Sequence, residues 1–297
     1  PDQELDAAVR AALQLLLSEQ CNDGNWAFEL EADVTITAEY ILLNHFVGAI
    51  DDEVESKLAN YLRRNQSRDG GWSLFSGGDF NVSASVKTYF ALKLVGDDGD
   101  LPHMRRAREA ILAHGGAVNC NVFTRITLAL FRQVPWRAVP ITRVEVMFAP
   151  GWFPIHVNKV SYWTRTVTVP LLILTALKPV AKNPRRVNID ELFHKPPYNE
   201  NYRLINPTGN WIGGLMLAMD RSSRLLEPLI PKVVTRKAIK MALQFVEDRL
   251  NGDDGLGGIF PAMANSLMVF TCLGFNGDDP RIVSARRAID RLLIFKD

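Results

Sequence analysis

The chain has 297 residues, of which 47% are hydrophobic, and its 34 Lys and Arg nearly balance its 33 Asp and Glu. This length and apolar content suffice for a large core, in one big domain or two small ones. The near-neutral charge gives no electrostatic footprint for nucleic acid, so we expect no nucleic-acid partner. The 3 widely spaced cysteines favour reduced thiols in a cytosolic setting over a disulfide framework.

The first predicted element is a helix over residues 5–19, in which Val9, Leu13 and Leu16 recur at helical spacing. A glycine-containing turn separates it from a partner helix over residues 35–47. Two further helix pairs follow, and we predict their helices over residues 51–65, 83–95, 104–113 and 122–131.

One motif occurs twice between paired helices, and each copy places Gln, Gly and Trp after an apolar residue. The copies are Leu16-Gln20-Gly24-Trp26 and Leu62-Gln66-Gly70-Trp72. Their separation falls within the about 20–50 residues that mark repeat architectures. The Gln amide can satisfy backbone groups at a neighbouring helix end, the Gly permits a positive φ, and the Trp covers the junction between helix pairs. The motif is therefore interpreted as structural and not catalytic.

The middle of the chain breaks the repeat. Residues 134–158 are rich in Pro and Trp and residues 179–209 in Pro and Asn, so both are predicted to be irregular insertions. Further helices are predicted over residues 161–177, 211–226, 232–250, 263–273 and from 280 onward. The array stops just as its last helix ends, which we take as a hint of truncation.

The repeated Gln-x3-Gly-x-Trp pattern resembles the QW motif of the squalene and oxidosqualene cyclases. Other segments resemble bacterial squalene–hopene cyclases in the same order and at matching spacing. These segments are residues 27–47, Val122-Phe123-Thr124-Arg125, Val134-Pro135-Trp136, Tyr162-Trp163-Thr164-Arg165 and Gly257-Gly258-Ile259-Phe260-Pro261. The resemblance covers essentially the whole chain. It implies an all-α fold, an α/α barrel (toroid) of repeated helix pairs with QW-motif turns.

The resemblance extends to only one of the family's two barrels. Family members are longer, and their catalytic acid is an Asp-x-Asp-Asp-Thr-Ala motif in the C-terminal barrel. No such string occurs in this sequence. We therefore expect residues 1–297 to be the N-terminal α/α-barrel domain of a two-domain cyclase, with no catalytic residue of its own and inactive without the C-terminal cyclase domain.

The resemblance implies that the full protein catalyses a cationic polycyclisation. Squalene, or a similar linear polyprene, is converted to hopene or hopanol, and no metal or organic cofactor is needed. Aromatic faces stabilise the migrating cation, and a dry cavity between the two barrels folds the substrate. The matching wall positions are Phe123, Trp163, Ile259, Phe260 and Pro261, and the matching channel positions are Val160 and Thr168. The alternative for each of these side chains is ordinary core packing.

The end of the reaction requires polar groups, and Glu39 matches the family's polar termination residue. Other positions depart from the family pattern and leave the hopene-to-hopanol ratio open. In this chain Phe260 replaces the family's Gln, Val160 its Phe and Lys87 its Glu. Likewise, Asn121 replaces the family's Arg, Thr127 its Trp and Asn265 its Tyr.

A membrane-contact surface is predicted where apolar residues are edged by basic ones, the pattern of a helix lying in the interface. The contact residues are Trp211, Leu215, Leu225, Leu226, Leu229 and Ile230. The resemblance implies contact with one leaflet of the cytoplasmic membrane, as a peripheral (monotopic) protein on the cytoplasmic side. A buried repeat helix is the alternative. A homodimer is expected by analogy with the family.

Two acidic runs, Asp51-Asp52-Glu53 and Asp97-Asp98-Gly99-Asp100, look like metal motifs. Acids are favoured at helix starts and turns anyway, and the histidines lack paired ligand spacing, so we predict no metal site. One alternative function remains a non-catalytic helical-toroid module that binds a protein partner or an apolar lipid. Another is a protein prenyltransferase β-subunit, whose Asp/Cys/His zinc site has no convincing counterpart here.

Overall fold

The computed structural model of the protein describes residues 2–26, 33–140, 143–153, 156–202 and 230–295. Over these residues it contains α-helices, short 3-10 helices and no β-strand, so the predicted all-α class is confirmed. The α-helices are α1 (Asp2–Ser18), α2 (Val34–Val47), α3 (Asp52–Arg64), α4 (Val82–Val95), α5 (Pro102–Ala113), α6 (Val122–Leu130), α7 (Tyr162–Leu177), α8 (Lys232–Glu247), α9 (Phe260–Cys272) and α10 (Pro280–Asp290). The predicted helix over residues 211–226 lies outside the described residues.

The chain divides into two units, Pro1–Ala32 and Asp33–Asp297. The first unit consists of α1 and the turn after it. None of the residues of α1 is buried. In the turn, Gln20 Nε2 donates to the Gly24 carbonyl at 2.7 Å and Trp26 Nε1 donates to the Leu16 carbonyl at 2.6 Å. These two bonds fold the motif back onto its own helix.

Inner helices of the second unit are buried on nearly every side. In α4, every residue from Ser83 to Leu92 is buried, and α2 and α9 show similar burial. A helix that is apolar all round belongs in the interior of a protein. Accordingly, α2 packs against both α4 and α9, and α7 packs against α9.

Outer helices of the same unit bury only a narrow stripe. In α8 the buried residues are Ala238, Ala242 and Val246, which share one face at helical spacing. The outer helices cover the inner ones: α3 and α5 pack against α4, α8 packs against α7, and α10 packs against α9. This alternation of inner and outer helices is the arrangement of an α/α barrel.

Polar caps fix where the inner helices begin. Asn81 Oδ1 accepts from the Ala84 amide at 3.0 Å, Asn121 Oδ1 from the Thr124 amide at 2.9 Å, and Ser161 Oγ from the Thr164 amide at 3.2 Å. Each cap satisfies an amide that the helix itself leaves free. The caps therefore set which side chains occupy the first turns of α4, α6 and α7.

The two predicted irregular segments contain short 3-10 helices but no α-helix within their described residues. The 3-10 helices of residues 134–158 are Trp136–Ala138 and Val144–Phe148, and a third, Val157–Lys159, begins at the end of that segment. Residues 179–202 include Asp190–Leu192 and Pro197–Asn199. The second segment is tied to the barrel by Arg185, whose guanidinium pairs with Glu55 at 3.1 Å.

Candidate functional site

A cavity of about 290 Å³ follows the inner faces of α2, α6 and α9, with α4 and α7 adding to its walls. This volume lies at the lower edge of the about 300–1,000 Å³ that is usual for small-molecule sites. Each contributing helix is an inner helix of the second unit. The cavity is therefore a consequence of how the inner helices surround a common space.

The wall of the cavity is mostly apolar. Its large apolar side chains are Ile36, Leu42, Leu43, Phe46, Phe123, Ile126, Leu130, Phe131, Val167, Leu171 and Met268. The rings of Phe46 and Phe131 meet edge to face with centroids 6.3 Å apart. Such a wall binds hydrocarbon by removing apolar surface from water and offers few hydrogen bonds to a polar ligand.

One ion pair interrupts the apolar wall. Lys87 Nζ of α4 donates to Glu39 Oε1 of α2 at 2.5 Å. The Lys87 side chain is 8% exposed and the Glu39 side chain 23%. A buried ammonium group is tolerated when an opposite charge compensates its lost hydration, which is the role that Glu39 fills here.

The remaining polar side chains of the wall are neutral and bond mainly to nearby backbone. Asn121 caps α6, Thr127 Oγ1 donates to the Phe123 carbonyl at 3.2 Å, and Asn265 Nδ2 donates to the Val167 carbonyl at 3.4 Å. The ion pair therefore carries the charge that this cavity presents.

Cys120 lies close to the site, beside the cap of α6, but is not a nucleophile. Burial raises the pKa of the Cys120 thiol to about 12 and outweighs the opposing effects of Arg125 and Lys87. The side chain packs into the core with 2% exposure. A thiol with this pKa stays protonated at neutral pH, whereas the reactive form is the thiolate.

The structure brings three of the residues singled out from the sequence into the cavity wall: Glu39, Phe123 and Pro261. Phe123 stands in the first turn of α6 and is 56% exposed. Four positions that depart from the family pattern also line the cavity. These are Lys87, Asn121, Thr127 and Asn265.

Other predicted wall and channel residues lie outside this set. Trp163, in the first turn of α7, is 64% exposed, and Val160, just before that helix, is 45% exposed. Phe260 is 6% exposed and belongs to the core cluster between α7, α8 and α9. Ile259 packs against the same cluster, and Thr168 is half-buried.

The predicted membrane-contact residues fall almost entirely outside the described part of the chain. Trp211, Leu215, Leu225, Leu226 and Leu229 are among residues 203–229, and only Ile230 is described, as half-buried. Of the helices that the structure does describe, none has both the length and the apolarity required to cross a bilayer.

The two acidic runs set aside in the sequence make structural contacts. Asp51 caps α3 by accepting from the Glu53 and Val54 amides, each at 3.1 Å. Asp97 accepts from Arg63 at 2.6 Å. Across the described ranges, His, Cys, Asp and Glu form no group of three or more that could hold a metal ion.

Several wall residues were missed from the sequence, among them Thr35, Phe46, Phe131 and Leu171. They are apolar or small side chains within or next to largely buried helices, where periodicity does not distinguish a cavity-facing position from a packed one. The charged pair did leave a signal. Glu39 and Lys87 each sit inside a helix that is buried on nearly every side, where a charge requires an explanation.

Comparison with known proteins agrees with this architecture. The family model for the squalene-hopene cyclase N-terminal domain matches residues 9–297. The chain belongs to the squalene–hopene cyclase family. The resemblance drawn from the QW motif is thereby confirmed.

Individual family members match along nearly the whole chain. The chain is 50% identical to the squalene–hopene cyclase of Bradyrhizobium diazoefficiens over 295 residues, which are 99% of this chain and 45% of that protein. It is 50% identical to the Zymomonas mobilis enzyme over 293 residues, 98% of this chain and 44% of that protein. For the Alicyclobacillus acidocaldarius enzyme the identity is 33% over 264 residues, 88% of this chain and 41% of that protein. The chain thus spans less than half the length of these relatives.

Proposed function

We propose that the chain forms one wall of the cavity in which a squalene–hopene cyclase folds and cyclises squalene or a similar linear polyprene. The observation that carries the proposal is the cavity along α2, α6 and α9, whose wall is mostly apolar and whose described charged side chains form one ion pair. A polyprene hydrocarbon has no hydrogen-bonding group, so its binding depends on apolar burial, worth about 25 cal/mol per Å².

Cyclisation carries a positive charge through successive rings, and aromatic faces attract such a charge without bonding to it. We assign this role to Phe123, whose ring lines the cavity and is 56% exposed. Trp163 is assigned as a second aromatic face, since its 64% exposure leaves its ring available. Pro261 completes the described wall. Ile259 and Phe260 pack in the adjoining core cluster and are proposed to support the wall from behind, with Val160 and Thr168 along the channel.

Glu39 is assigned to the end of the reaction. It is the one carboxylate among the described residues that line the cavity. A carboxylate oxygen can accept a proton from the final carbocation or from a water that attacks it. This part of the proposal needs no metal or organic cofactor.

The proton donor that starts the reaction is assigned to the rest of the full-length protein, because the relatives extend well beyond the matched part. We propose that a C-terminal cyclase domain carries the Asp-x-Asp-Asp acid motif and closes the cavity from the other side. The present chain alone then leaves squalene unconverted.

Membrane association belongs to the same proposal, since squalene partitions into lipid. The sequence around residues 211–230 has apolar residues edged by Arg221, Arg224 and Lys232. We propose that it contacts one leaflet at the cytoplasmic side of the cytoplasmic membrane. Flotation with lipid vesicles tests this: Leu225→Glu with Leu229→Glu should abolish binding, and undiminished binding would reject it. The homodimer remains a prediction, to be checked by light scattering.

The experiment for the proposed activity uses the full-length protein that contains this chain. Incubation with squalene in detergent, followed by gas chromatography and mass spectrometry, should yield a pentacyclic alkene or alcohol. The chain alone, at the same concentration, should yield neither. A folded full-length protein that leaves squalene and related polyprenes intact would overturn the proposal in favour of a binding module.

A further inference from the structure

Two charged side chains face each other across the inner helices: Glu39 of α2 and Lys87 of α4. Both line the cavity, and the ammonium donates to Glu39 Oε1 at 2.5 Å. Lys87 is the more enclosed of the two, at 8% side-chain exposure against 23% for Glu39. The carboxylate is therefore the part of the pair that is more accessible from the cavity.

The ammonium fixes the direction of the carboxylate and supplies the opposite charge that compensates its partial burial. Because Lys87 occupies Oε1, the carboxylate is held in one orientation. Among the described residues, Oε2 of Glu39 has no hydrogen-bond partner. One acceptor atom of the pair is thus left for a ligand.

The competing groups in the wall are weaker proton acceptors. In the described part of the chain, the other polar side chains that line the cavity are Asn121, Asn265, Thr35 and Thr127, and all are neutral amides or hydroxyls. Glu39 is accordingly the strongest base in reach of a ligand there, and its orientation depends on Lys87.

We propose that Lys87 is the positioning residue for the end of the cyclisation, holding Glu39 so that Oε2 receives the last proton. This inference rests on the proposed function. In the alkene branch, a C–H bond next to the final carbocation breaks, its electron pair becomes the new C=C bond, and the proton bonds to Oε2. In the alcohol branch, a water oxygen bonds to the cation and the water's proton passes to Oε2. In both branches the cation and the carboxylate are neutralised together, and Glu39 afterwards returns the proton to solvent.

A fixed ion pair also stabilises the cation before the proton is lost. Its negative end is the one more open to the cavity, and preoriented charge in a dry site acts strongly on charge that develops in the reaction. Loss of Lys87 should therefore change which products form more than whether squalene binds.

The test measures product distribution in the full-length protein with squalene. Lys87→Met should change the ratio of alkene to alcohol, or of complete to partly cyclised products, by about tenfold, which corresponds to about 1.36 kcal/mol between competing barriers. Lys87→Arg, which restores a positive charge, should return the ratio towards that of the wild type. The KM for squalene should stay nearly constant throughout.

Glu39→Gln keeps the side-chain shape and should shift the products in the same direction as Lys87→Met. Combining the two substitutions should add little, because each removes the same pair. Additive effects would overturn the inference and so would an unchanged product ratio in a folded Lys87→Met protein.

Lys93→Met is the matched control. Lys93 is on the same helix and pairs with Glu191, which does not line the cavity. This variant should keep the wild-type product ratio, and a shift equal to that of Lys87→Met would mean that helix stability, not positioning, is responsible. A wild-type protein without any cyclised product would instead refute the proposed function itself.

Discussion

The two copies of the Gln-Gly-Trp motif share their internal hydrogen bonds and differ in their surroundings. In each copy the Gln side chain donates to the Gly carbonyl at 2.7 Å, and the indole donates to a carbonyl ten residues earlier, at 2.6 Å for Trp26 and 2.9 Å for Trp72. Yet Trp26 is 46% exposed, whereas Trp72 is fully buried.

The second copy also reaches the next helix. Gln66 Nε2 donates to the His103 carbonyl at 2.8 Å, and its Oε1 accepts from Arg106 at 2.7 Å, both in α5. Within its own unit, Gln20 makes the same bond to Gly24. The comparison teaches that the motif's internal bonds form a local turn, and that in the second copy the same Gln side chain also binds the helix that follows.

Replacing Trp26 and Trp72 in turn should give the largest difference in stability between the two copies of the motif. Trp72→Ala removes a buried aromatic side chain and should destabilise the protein by about 3–5 kcal/mol. Trp26→Ala removes a half-exposed one and should cost much less. Urea denaturation of the two variants measures both effects, and equal losses would contradict the comparison.

Substitution of the two motif glycines should have the next largest effect on stability. Both adopt left-handed φ values, +86° for Gly24 and +89° for Gly70. Backbone strain on Gly→Ala should therefore cost about 1–2 kcal/mol in each copy. A Cβ at Gly70 would in addition lie 2.7 Å from the Arg106 carbonyl oxygen, whereas at Gly24 its nearest neighbour is 4.0 Å away.

Gly70→Ala should thus destabilise the protein more than Gly24→Ala. Hydrogen exchange measured on peptides covering each turn reports the local opening. If Gly24→Ala opens its turn as much as Gly70→Ala does, the close approach to α5 is energetically unimportant.

Substitutions of the two motif glutamines should differ in their effect on stability by less than those of the tryptophans or glycines. Gln66→Met removes three hydrogen bonds, each worth about 0.5–1.5 kcal/mol, and leaves the Arg106 guanidinium without this acceptor. Gln20→Met removes one. The expected order of thermal midpoints is wild type, then Gln20→Met, then Gln66→Met, and a reversed order would show that α5 gains nothing from this side chain.

The contacts between the helices that flank the second copy should depend on pH through Asp97. Asp97 joins the end of α3 to the start of α5 through Arg63 at 2.6 Å and His103 at 2.7 Å. Burial by itself would raise the pKa of Asp97, but the hydrogen bonds from Arg63 and His103 prevail and hold that pKa below its ordinary value.

Because the folded-state pKa of Asp97 is depressed, its contribution is present above the unfolded value and is lost as pH falls through the folded value. The thermal midpoint of the wild type should exceed that of Asp97→Asn at pH 7, and the difference should shrink below about pH 4. A difference independent of pH would show that the charge of Asp97 does not contribute.

Much of the fold was predictable because its signals are local. Capping residues, glycines and apolar periodicity predicted α2, α3, α4, α6 and α7 to within a few residues. The end of α8 was placed too late: the helix stops at Glu247 and not at residue 250. Beyond Glu247 the chain turns, and Leu250 pairs with Leu256 in an isolated β-bridge that the helical pattern does not predict.

The site was less predictable because it depends on which faces of several buried helices meet. Phe123 and Pro261, singled out through the family resemblance, line the cavity, whereas Phe260, beside Pro261, packs in the core at 6% exposure. Adjacent positions in a first helical turn point in different directions, and the sequence does not say which one faces the cavity. The pairing of Glu39 with Lys87 required knowing that α2 and α4 are neighbours.

The central claim is that substrate occupies the cavity along α2, α6 and α9, and Phe123 tests it most directly. The measurement is the product profile of the full-length Phe123→Ala protein with squalene, beside Phe75→Ala, whose ring is 71% exposed in the turn before α4 and outside the cavity. The account predicts partly cyclised products and a lower rate for Phe123→Ala, with a wild-type profile for Phe75→Ala. A wild-type rate and product profile in both variants would contradict it.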